Sequence, residues 1–400
     1  MLISFLFDPV LGGGAAQSVN SLAHELIKRG HEVVVITSGP HKEITRHDQE
    51  GIKVISFFPP NLYWVYEKDA HALWQKIIWQ FIDIWNPFVY RIVKKIILEE
   101  KPVIVHFHKI RGFSPSVWKA AKDAGVPKLI QTCHDYEVMS PQGVLSGWVG
   151  QLAEKRSWLL FPYQNIRRNA SRNIDVLTTP GITLMTRLNQ QKFFSNAKKF
   201  IVPNTHDLSE TEIEQNSGSN PRPESDPLTL LFLGRLETDK GIDVLCKAVQ
   251  KANRAGAIIE LNIAGVGSHE FQLKSAYAGE KTFHFLGHVT GKQKQLLLRN
   301  CDMVAVPSIV SETFGISAVE ALAYGKPVLA SSIGELTEII VEEKTGFFTP
   351  PGNAEKMAER IIDLYQHKYL LREMQKDCLD SAKQYTPQAV ADRYLTIYEI

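Results

Sequence analysis

Residues 228–265, LTLLFLGRLETDKGIDVLCKAVQKANRAGAIIELNIAG, contain an apolar run, a charged loop, an amphipathic segment and a second apolar run. A short apolar run that ends at a glycine is typical of a buried strand, and the apolar residues of 242–254 recur at helical spacing. The stretch therefore predicts a strand, a helix and another strand. Strands at HFLG, DMVAVPS and VLASS, with helices at QKQLLLRN and GISAVEALAY, continue the alternation and predict a doubly wound parallel sheet over residues 228–384.

The N-terminal half shows the same alternation. The strand LISFLF is followed by a turn at Gly12-Gly13-Gly14, a helix over 15–28 and the strand HEVVVIT, with further strands at GIKVISF, VIVHFH and KLIQTCH. We therefore expect an α/β protein with two Rossmann-like domains, residues 1–206 and 228–384, that face a cleft. Residues 207–227, rich in Ser, Asn, Glu and Pro, are predicted to be the linker, and residues 385–400 a C-terminal helix that packs back on the N-terminal domain.

The composition is that of a globular protein. Of 400 residues, 44% are hydrophobic and 22% are charged, and no window holds the roughly 18 uncharged apolar residues of a spanning helix. The opening MLISFLFD has no basic region before its first aspartate, so we interpret it as a strand and not as a signal peptide. The four cysteines lack the spacing of a metal site and indicate free thiols, which favours the cytoplasm.

Charge is divided unevenly along the chain. Residues 1–206 contain 25 Lys and Arg against 16 Asp and Glu, whereas residues 207–400 contain 20 against 27, and all seven tryptophans lie in the first half. A basic half that is rich in tryptophan favours an anionic or amphiphilic partner. A nucleic-acid partner is disfavoured, because the basic excess is confined to one half.

The stretch 311–322, SETFGISAVEAL, holds two glutamates in an apolar, small-residue run. Glu312 falls in the loop after a strand, and a helix is predicted to begin near Gly315. Glu320 lies beside the packed face of that helix, where a carboxylate is costly unless it is hydrogen-bonded. Glu320 therefore accepts either from a ligand, for which a ribose diol is suitable, or from a buried protein cation. The backbone amides of Phe314, Gly315 and Ile316 form an anion or hydroxyl site at a helix N-terminus.

Two further loops follow predicted strands. Arg235 and Lys240 share the loop GRLETDKG, where they either converge on a diphosphate by charge-assisted hydrogen bonds or remain two solvated charges. The glycines of 12–17, GGGAAQ, let the backbone approach a ligand at a helix start. This loop lacks the GxGxxG spacing, and no acidic residue ends the next strand, so a nicotinamide dinucleotide is disfavoured.

Histidines follow two strands of the N-terminal half. His106 and His108 lie in VIVHFH, and His134 precedes Asp135 in TCHDY. A structural and a functional role are about equally favoured when two such sites face one cleft. No DxD motif and no cluster with metal-ligand spacing occurs in the sequence, so we expect no essential metal and no cofactor.

Taken together, these motifs resemble the retaining glycosyltransferases of family 4, which have the two-domain GT-B fold and include enzymes of bacterial polysaccharide and glycan synthesis. The resemblance extends over essentially the whole chain. It is carried, in order, by GGGAAQSV, VIVHFH, HDY, VPNTHD, GRLETDKG, IAGVG, FLGHV, PS, SETFGISAVEAL, GKPVLAS and TGFFTPPGN. One departure is residues 203–207, PNTHD, where the family usually has PNGVD and where His206 replaces a small or apolar residue.

The resemblance implies a role for each matching residue. The ribose contact falls to Glu320, the donor sugar to Glu312 and the backbone after it, and the diphosphate to Arg235 and Lys240. His134 would lie by the donor sugar, and the glycine loop by the phosphate and the acceptor. The implied catalytic residues are His134, Arg235, Lys240 and Glu312. The implied donor-binding residues are Gly13, Gly14, Gly234, Gly265, Val289, Phe314, Gly315, Ile316 and Glu320, and the implied acceptor-binding residues are Gly12, Gln17, His108 and Asp135.

The expected reaction is retaining transfer of a sugar from a nucleoside-diphosphate sugar to a hydroxyl of a glycan or a lipid-linked acceptor, without a metal. Two alternatives remain open: a GT-B sugar-nucleotide epimerase, which turns over without an acceptor, and a non-catalytic nucleotide-sugar binding protein. A glycosidase that uses Glu312 and Glu320 as paired carboxylates is disfavoured, because it leaves Arg235 and Lys240 without a phosphate.

Two stretches of the N-terminal half combine aromatic and basic residues. The first, 63–101, holds four tryptophans together with Lys76, Arg91, Lys94 and Lys95. The second, 155–168, includes Arg156, Trp158 and Phe161. These stretches either rest on an anionic membrane, which would make the protein peripheral at the inner face of the plasma membrane, or are core helices with a solvated basic side.

Overall fold

A computed structural model describes residues 1–5, 7, 9–145, 147–155, 158–216 and 226–400. Within them the chain forms two compact units: unit 1 comprises Met1–Asn204 and Val390–Ile400, and unit 2 comprises Thr205–Ala389. Arg156 and residues 217–225 of the predicted linker lie outside the described residues. None of the described helices combines the length and hydropathy needed to cross a bilayer.

The sheet of unit 1 is parallel except at one edge. Its strands in the described residues are β1 (Leu2–Ile3), β2 (Val34–Ser38), β3 (Thr45–Gln49), β4 (Ile52–Phe57), β5 (Ile104–Phe107), β6 (Lys128–Thr132), β7 (Val176–Thr179) and β8 (Lys198–Ile201). They pair in the order β3-β4-β2-β1-β5-β6-β7-β8, with β3 antiparallel to β4. The central strands are covered on both faces, which explains why they are almost continuously apolar.

Helices connect these strands. They are α1 (Pro9–Lys28), α2 (Leu73–Ile84), α3 (Pro87–Glu100), α4 (Ser116–Asp123), α5 (Gly147–Glu154), α6 (Phe161–Ala170) and α7 (Ile182–Gln190). The sequence predicts a turn at the glycine run and a helix only from Ala15, and this is wrong at the start. Helical structure begins at Pro9 and is interrupted at Gly13, whose φ of 61° and ψ of −160° are not helical. The positive φ is one that glycine adopts without strain.

Unit 2 has an all-parallel six-stranded sheet. Its strands are β9 (Leu228–Leu233), β10 (Ile259–Ala264), β11 (Phe283–Gly287), β12 (Met303–Val306), β13 (Val328–Ser331) and β14 (Gly346–Thr349), in the order β11-β10-β9-β12-β13-β14. The helices are α8 (Glu210–Gln215), α9 (Ile242–Arg254), α10 (Glu270–Ala276), α11 (Gly291–Asn300), α12 (Ile316–Ala323), α13 (Leu336–Ile339), α14 (Ala354–Gln366), α15 (Tyr369–Glu373) and α16 (Gln375–Ala382). Strand β9 is central, which places the loop after it in the middle of the sheet edge.

The first part of the predicted linker is instead folded into unit 2. Helix α8 begins with a capping box in which Ser209 and Glu212 satisfy each other's backbone amides. Leu208 and Ile213 are buried in the core of unit 2. The polar composition of this stretch conceals two apolar residues that anchor it, so the expectation of a linker from residue 207 is corrected.

The last helix, α17 (Pro387–Glu399), crosses from unit 2 and packs in unit 1. Val390, Tyr394 and Ile397 are buried in a core cluster of that unit. The Tyr398 hydroxyl lies 2.8 Å from Nδ1 of His106, and Lys128 donates to the Tyr398 carbonyl oxygen at 2.6 Å. The chain therefore returns to unit 1 through specific polar contacts as well as apolar packing.

Candidate functional site

The loop after β9 holds the two predicted diphosphate ligands. Lys240 ends a single 3₁₀ turn, and its Nζ lies 2.6 Å from Oε1 of Glu312. The Arg235 side chain is exposed, and its guanidinium is 3.7 Å from Asp239. Gly241 follows with a φ of 68°, and a Cβ there would lie 1.9 Å from the Pro307 carbonyl oxygen. This close approach presses the loop against the end of β12 and brings Lys240 to Glu312.

Glu312 is a half-buried, ionised carboxylate. Its Oε1 accepts from Lys240 and, at 2.5 Å, from the hydroxyl of Ser308, which the sequence analysis includes in the motif PS without a role. Burial alone would raise the pKa of Glu312, but the Lys240 charge and the hydrogen bonds from Lys240 and Ser308 bring it below its ordinary value. A glycosidase needs one carboxyl group with a raised pKa as its general acid. The environment of Glu312 is the opposite.

Helix α12 starts directly after this carboxylate. Gly315 is its N-cap with a φ of 110°, and a Cβ there would lie 2.7 Å from Cδ2 of Leu336. Residues 318–323 are all buried, so the helix has no solvated charged face, as the sequence predicts. The first amides of a helix have no acceptor within it, and they carry the positive end of the helix dipole. The amides near Phe314, Gly315 and Ile316 therefore add positive potential beside Lys240.

Glu320 is paired with a protein cation that the sequence analysis missed. Lys294 on α11 places its Nζ 2.7 Å from Oε1 of Glu320 and 3.5 Å from Oδ2 of Asp207. Burial would lower the pKa of Lys294, but the charges of Glu320 and Asp207 raise it. Of the two partners that the sequence left open for Glu320, the structure shows the protein cation. Lys294 is 26 residues away on another helix, so no local pattern indicates the contact.

The other predicted donor residues of unit 2 lie at the same edge of the sheet. Gly234, Gly265 and Val289 follow β9, β10 and β11. A Cβ on Gly265 would lie 1.8 Å from the carbonyl oxygen of Gly234, and the Gly265 amide donates to Gly287 at 2.7 Å. In an open parallel sheet, ligands bind outside the carboxyl ends of the strands. Unit 2 therefore collects its glycine turns, two cations, two carboxylates and a helix N-terminus at the edge where such a ligand binds.

Unit 1 has its own polar centre at the ends of β5 and β6. Nδ1 of His108 lies 3.1 Å from Nε2 of His134, whose Nδ1 lies 2.9 Å from Oδ1 of Asn204. The rings of His106 and His108 are tilted by 35° with their centroids 4.0 Å apart, and Nε2 of His106 lies 2.7 Å from Oγ1 of Thr132. All three imidazoles are buried. The histidines that the sequence singled out therefore form one connected row, and at least His106 has a structural contact with the C-terminal helix.

The carboxylates near this row differ in environment. Asp135 pairs with Lys109 at 2.6 Å and accepts from the Glu137 amide. Glu137 accepts from the Ile110 amide at 2.8 Å, and burial together with Asp135 raises its pKa to about 7. Neither Lys109 nor Glu137 was singled out from the sequence. Helix α1, which carries Gln17, follows β1, and β1 lies next to β5 in the sheet.

Mild acid should destabilise unit 1, because its buried histidines stay neutral while those of the unfolded chain bind protons. Burial, with Lys109 nearby, lowers the pKa of His134 to about 4, and burial with neighbouring positive charge lowers those of His106 and His108. Below about pH 6.5 the unfolded chain binds protons that the folded chain does not, so the free energy of unfolding falls as pH falls, by up to about 1.4 kcal/mol per pH unit for each histidine.

Urea unfolding followed by tryptophan fluorescence measures this effect in unit 1, because every tryptophan lies in residues 1–206. His108→Asn should reduce the slope of the unfolding free energy against pH. His47→Asn, at an exposed position, is the control and should leave the slope unchanged. An unchanged slope in His108→Asn would contradict the assignment of a neutral buried imidazole.

The described part of the chain contains no group of three or more His, Cys, Asp or Glu side chains placed to hold a metal ion. The four cysteines are all buried and free.

Two family models match the chain and together extend over most of its length. Residues 12–210 match Glycosyltransferase Family 4, and residues 213–385 match Glycosyl transferases group 1. The division between the two matched regions lies close to the division between units 1 and 2.

Similar proteins and structures agree with these matches. An uncharacterised 42.6 kDa protein in the cps region of Klebsiella pneumoniae is 28% identical over 343 residues, which are 85% of this chain and 86% of that protein. A glycogen synthase of Mycobacterium tuberculosis is 26% identical over 376 residues, 90% of this chain and 84% of that one. Among solved structures, HepE of Anabaena in complex with UDP aligns with a TM-score of 0.69 at 18% identity, covering 100% and 99% of the two chains.

The likeness to HepE shows the fold, and the family models show the class of enzyme. The predicted GT-B fold, with its two parallel-sheet α/β domains, is thereby confirmed. The chain belongs to the GT-B glycosyltransferases, with a family 4 glycosyltransferase domain followed by a group 1 glycosyl transferase domain.

Proposed function

We propose that this glycosyltransferase moves a sugar from a nucleoside-diphosphate sugar to a hydroxyl of a glycan or lipid-linked acceptor, with retention at the anomeric carbon and without a metal. One observation carries the proposal. Lys240, Arg235 and the N-terminus of α12 gather positive potential at one point of the sheet edge, beside an ionised glutamate. A diphosphate is the ligand that such a set of donors suits.

The proposed mechanism follows from the charges that develop when the bond to the sugar breaks. The bond between the anomeric carbon and the phosphate oxygen breaks, which leaves negative charge on the diphosphate and positive charge on the sugar. Lys240, Arg235 and the α12 amides would stabilise the leaving diphosphate, in place of the metal that many phosphate-transferring sites use. The acceptor oxygen forms the new bond on the face that the phosphate leaves, and its proton passes to a phosphate oxygen.

Glu312 has two roles in this proposal. Its ionised carboxylate accepts hydrogen bonds from sugar hydroxyls, and its negative charge lies near the carbon that becomes positive. It also holds Lys240 in place before the donor binds, through the 2.6 Å contact. Positioning of a catalytic cation in advance lowers the reorganisation needed in the transition state.

The identities of donor and acceptor are proposed by class only. HepE, which shares the fold, was solved with UDP, and a relative is named as a glycogen synthase. These names support a nucleoside diphosphate as the donor group and a glycan as the acceptor. We place the reaction in the cytoplasm, at the inner face of the plasma membrane where the acceptor is lipid-linked.

A thermal-shift panel of nucleoside-diphosphate sugars, followed by product analysis, tests the proposal. A bound donor raises the melting temperature, since ligand binding stabilises the folded state. Turnover should require an acceptor and persist in EDTA. Product formed without an acceptor would identify an epimerase, and binding without turnover on any acceptor would identify a binding protein; either result contradicts the transferase proposal.

Glu320→Gln should weaken donor binding by roughly 10- to 100-fold. Hydrogen bonds to a charged group contribute about 1.5–3 kcal/mol, and the amide keeps the size of the side chain but loses its charge. Isothermal titration with the donor that the panel identifies measures the change. Glu338→Gln, at an exposed position of α13, is the matched control.

The pairing of Glu320 with Lys294 requires a second measurement. If the carboxylate serves only to neutralise Lys294, Glu320→Gln lowers the melting temperature and leaves the affinity for the donor as it was. That outcome would remove the ribose contact from the proposal. Weaker binding of the donor by the folded variant supports it, whether or not loss of the ion pair with Lys294 also lowers the melting temperature.

A further inference from the structure

Helix α2 of unit 1 presents a row of large apolar side chains to solvent. Leu73 is 74% exposed, Trp74 62% and Phe81 67%. Ile77 and Ile78, between them on the same side of the helix, are also exposed. A helix of a globular protein normally directs such a face to the core, so this row requires an explanation outside the fold.

The inner side of α2 is what attaches the helix to unit 1. Trp79 is buried, and its indole nitrogen donates to the Tyr63 carbonyl oxygen at 2.9 Å. Asp83, also buried, pairs with Arg167 of α6 at 2.8 Å and accepts from the Gly112 amide at 2.8 Å. Since these contacts hold the helix in place, the exposed row is not needed for its attachment.

A second exposed apolar segment lies in the same region. Trp158 is 80% exposed, and Leu159 and Phe161 are more than half exposed. This segment leads into α6, whose Arg167 is the partner of Asp83 on α2. The Phe161 backbone lies about 9 Å along the helix from Arg167, at 1.5 Å per residue. The buried ion pair therefore keeps the two apolar segments near each other.

Basic side chains accompany these apolar ones. Helix α3 follows α2 after two residues and exposes Phe88, Arg91, Lys95 and Leu98. The exposed acidic residue at its end, Glu99, lies 2.8 Å from Arg46 and 3.9 Å from Lys95, so basic side chains surround it. Within α2 itself the one acidic residue is Asp83, which is buried and paired. We call the surface formed by α2, α3 and residues 158–161 the aromatic-basic surface. It combines exposed aromatic and aliphatic side chains with basic ones.

We propose that the aromatic-basic surface docks on an anionic lipid bilayer. Tryptophan side chains favour the interface between headgroups and acyl chains, and lysine and arginine attract anionic headgroups. With 12 residues, α2 is too short for the roughly 20 that a spanning helix needs, so it lies in the plane of the interface. The binding stands on this geometry, whereas delivery of a lipid-linked acceptor to unit 1 rests on the proposed function.

Co-sedimentation with lipid vesicles tests the docking. The full-length protein should pellet with vesicles of phosphatidylcholine and phosphatidylglycerol, less so as salt rises, and far less with phosphatidylcholine alone. Trp74→Ser/Phe81→Ser should weaken the partition by about tenfold or more, because two large apolar side chains no longer leave water. Arg91→Gln/Lys95→Gln should reduce the salt dependence.

A matched control shows whether the loss of vesicle binding is specific to the aromatic-basic surface. Phe271→Ser/Leu296→Ser removes exposed apolar side chains from unit 2 and should pellet like the wild type. Each variant must bind the donor as the wild type does, which separates a failure of docking from a failure of the proposed transferase function. Equal pelleting of Trp74→Ser/Phe81→Ser and wild type would overturn the proposal. A dimer in solution that Trp74→Ser/Phe81→Ser converts to a monomer, without vesicle binding by the wild type, would assign the surface to a second copy and overturn it as well.

Discussion

Lys240→Ala should lower the rate of sugar transfer by roughly 10²- to 10³-fold, the loss expected when one preorganised electrostatic partner is removed from the transition state. Lys240 is the better held of the two predicted diphosphate cations, because its Nζ contacts Glu312 at 2.6 Å whereas the Arg235 side chain is exposed. The measurement is kcat/KM with the donor found in the thermal-shift panel. Lys247→Ala, an exposed lysine of α9, is the matched control and should retain the wild-type rate.

The same substitution leaves the half-buried Glu312 without its cation, so a loss of folding has to be separated from a loss of catalysis. Glu312→Gln combined with Lys240→Ala removes the charge imbalance and should restore the melting temperature while leaving transfer slow. A double variant that transfers at the wild-type rate would show that Lys240 acts only as the partner of Glu312. Wild-type activity of the single variant would remove Lys240 from the mechanism altogether.

Asp83→Asn should lower the free energy of unfolding of unit 1 by roughly 3–5 kcal/mol, because it leaves the Arg167 charge buried without a counterion. Both side chains are almost fully buried, at 2% and 1% exposure. Burial raises the pKa of Asp83 to about 6, against the opposing effects of Arg167 and Arg111, so the carboxylate is still ionised at neutral pH. Arginine has no comparable means of becoming neutral.

The difference between Asp83, which can become neutral, and Arg167, which cannot, provides a control. Arg167→Met should destabilise less than Asp83→Asn, since Asp83 can take up a proton when its partner is lost. Asp83→Leu/Arg167→Met should recover most of the stability, because an apolar pair removes both desolvated charges. Asp123→Asn breaks an exposed pair with Lys119 and should change stability by about 1 kcal/mol or less. Urea unfolding followed by tryptophan fluorescence reports on unit 1. Equal effects of the two single variants would contradict the argument.

The strands that local sequence predicted are those that the sheet covers on both faces. Strands β9, β10, β12 and β13 are apolar runs, and helix α9 begins and ends where its amphipathic pattern does. The exceptions include β3, whose residues TRHDQ are polar and almost all exposed, and the four-residue strands β7 and β14. Strand β3 is at the edge and pairs on one side only, so it has no need of the apolar pattern on which the prediction depends. Strand β7 pairs on both sides and is buried, but with four residues it is too short to show a clear pattern.

The candidate site also contains some features that could be predicted from the sequence and others that could not. Cations, glycines and carboxylates at strand ends could be read from the chain, because the carboxyl edge of a parallel sheet collects the loops that follow its strands. The partners of those residues could not. Lys294 contacts Glu320 only because α11 and α12 meet in space, and nothing in the local pattern of KQKQLLLRN distinguishes Lys294 from its neighbours. Ser308 lies only four residues before Glu312, but the conformation of that loop decides that its hydroxyl reaches the carboxylate.

The aromatic-basic surface shows most directly which features depend on the sequence alone and which depend on tertiary packing. The amino-acid order alone establishes an α/β chain of two domains, the motifs at its strand ends and a basic, tryptophan-rich first half, because periodicity and charge are local properties. Which tryptophans are buried is not local: Trp79 packs inward and Trp74, five residues earlier on the same helix, faces solvent. Only the packing of α2 against its neighbours decides that, since burial depends on which face of a helix the rest of the chain covers.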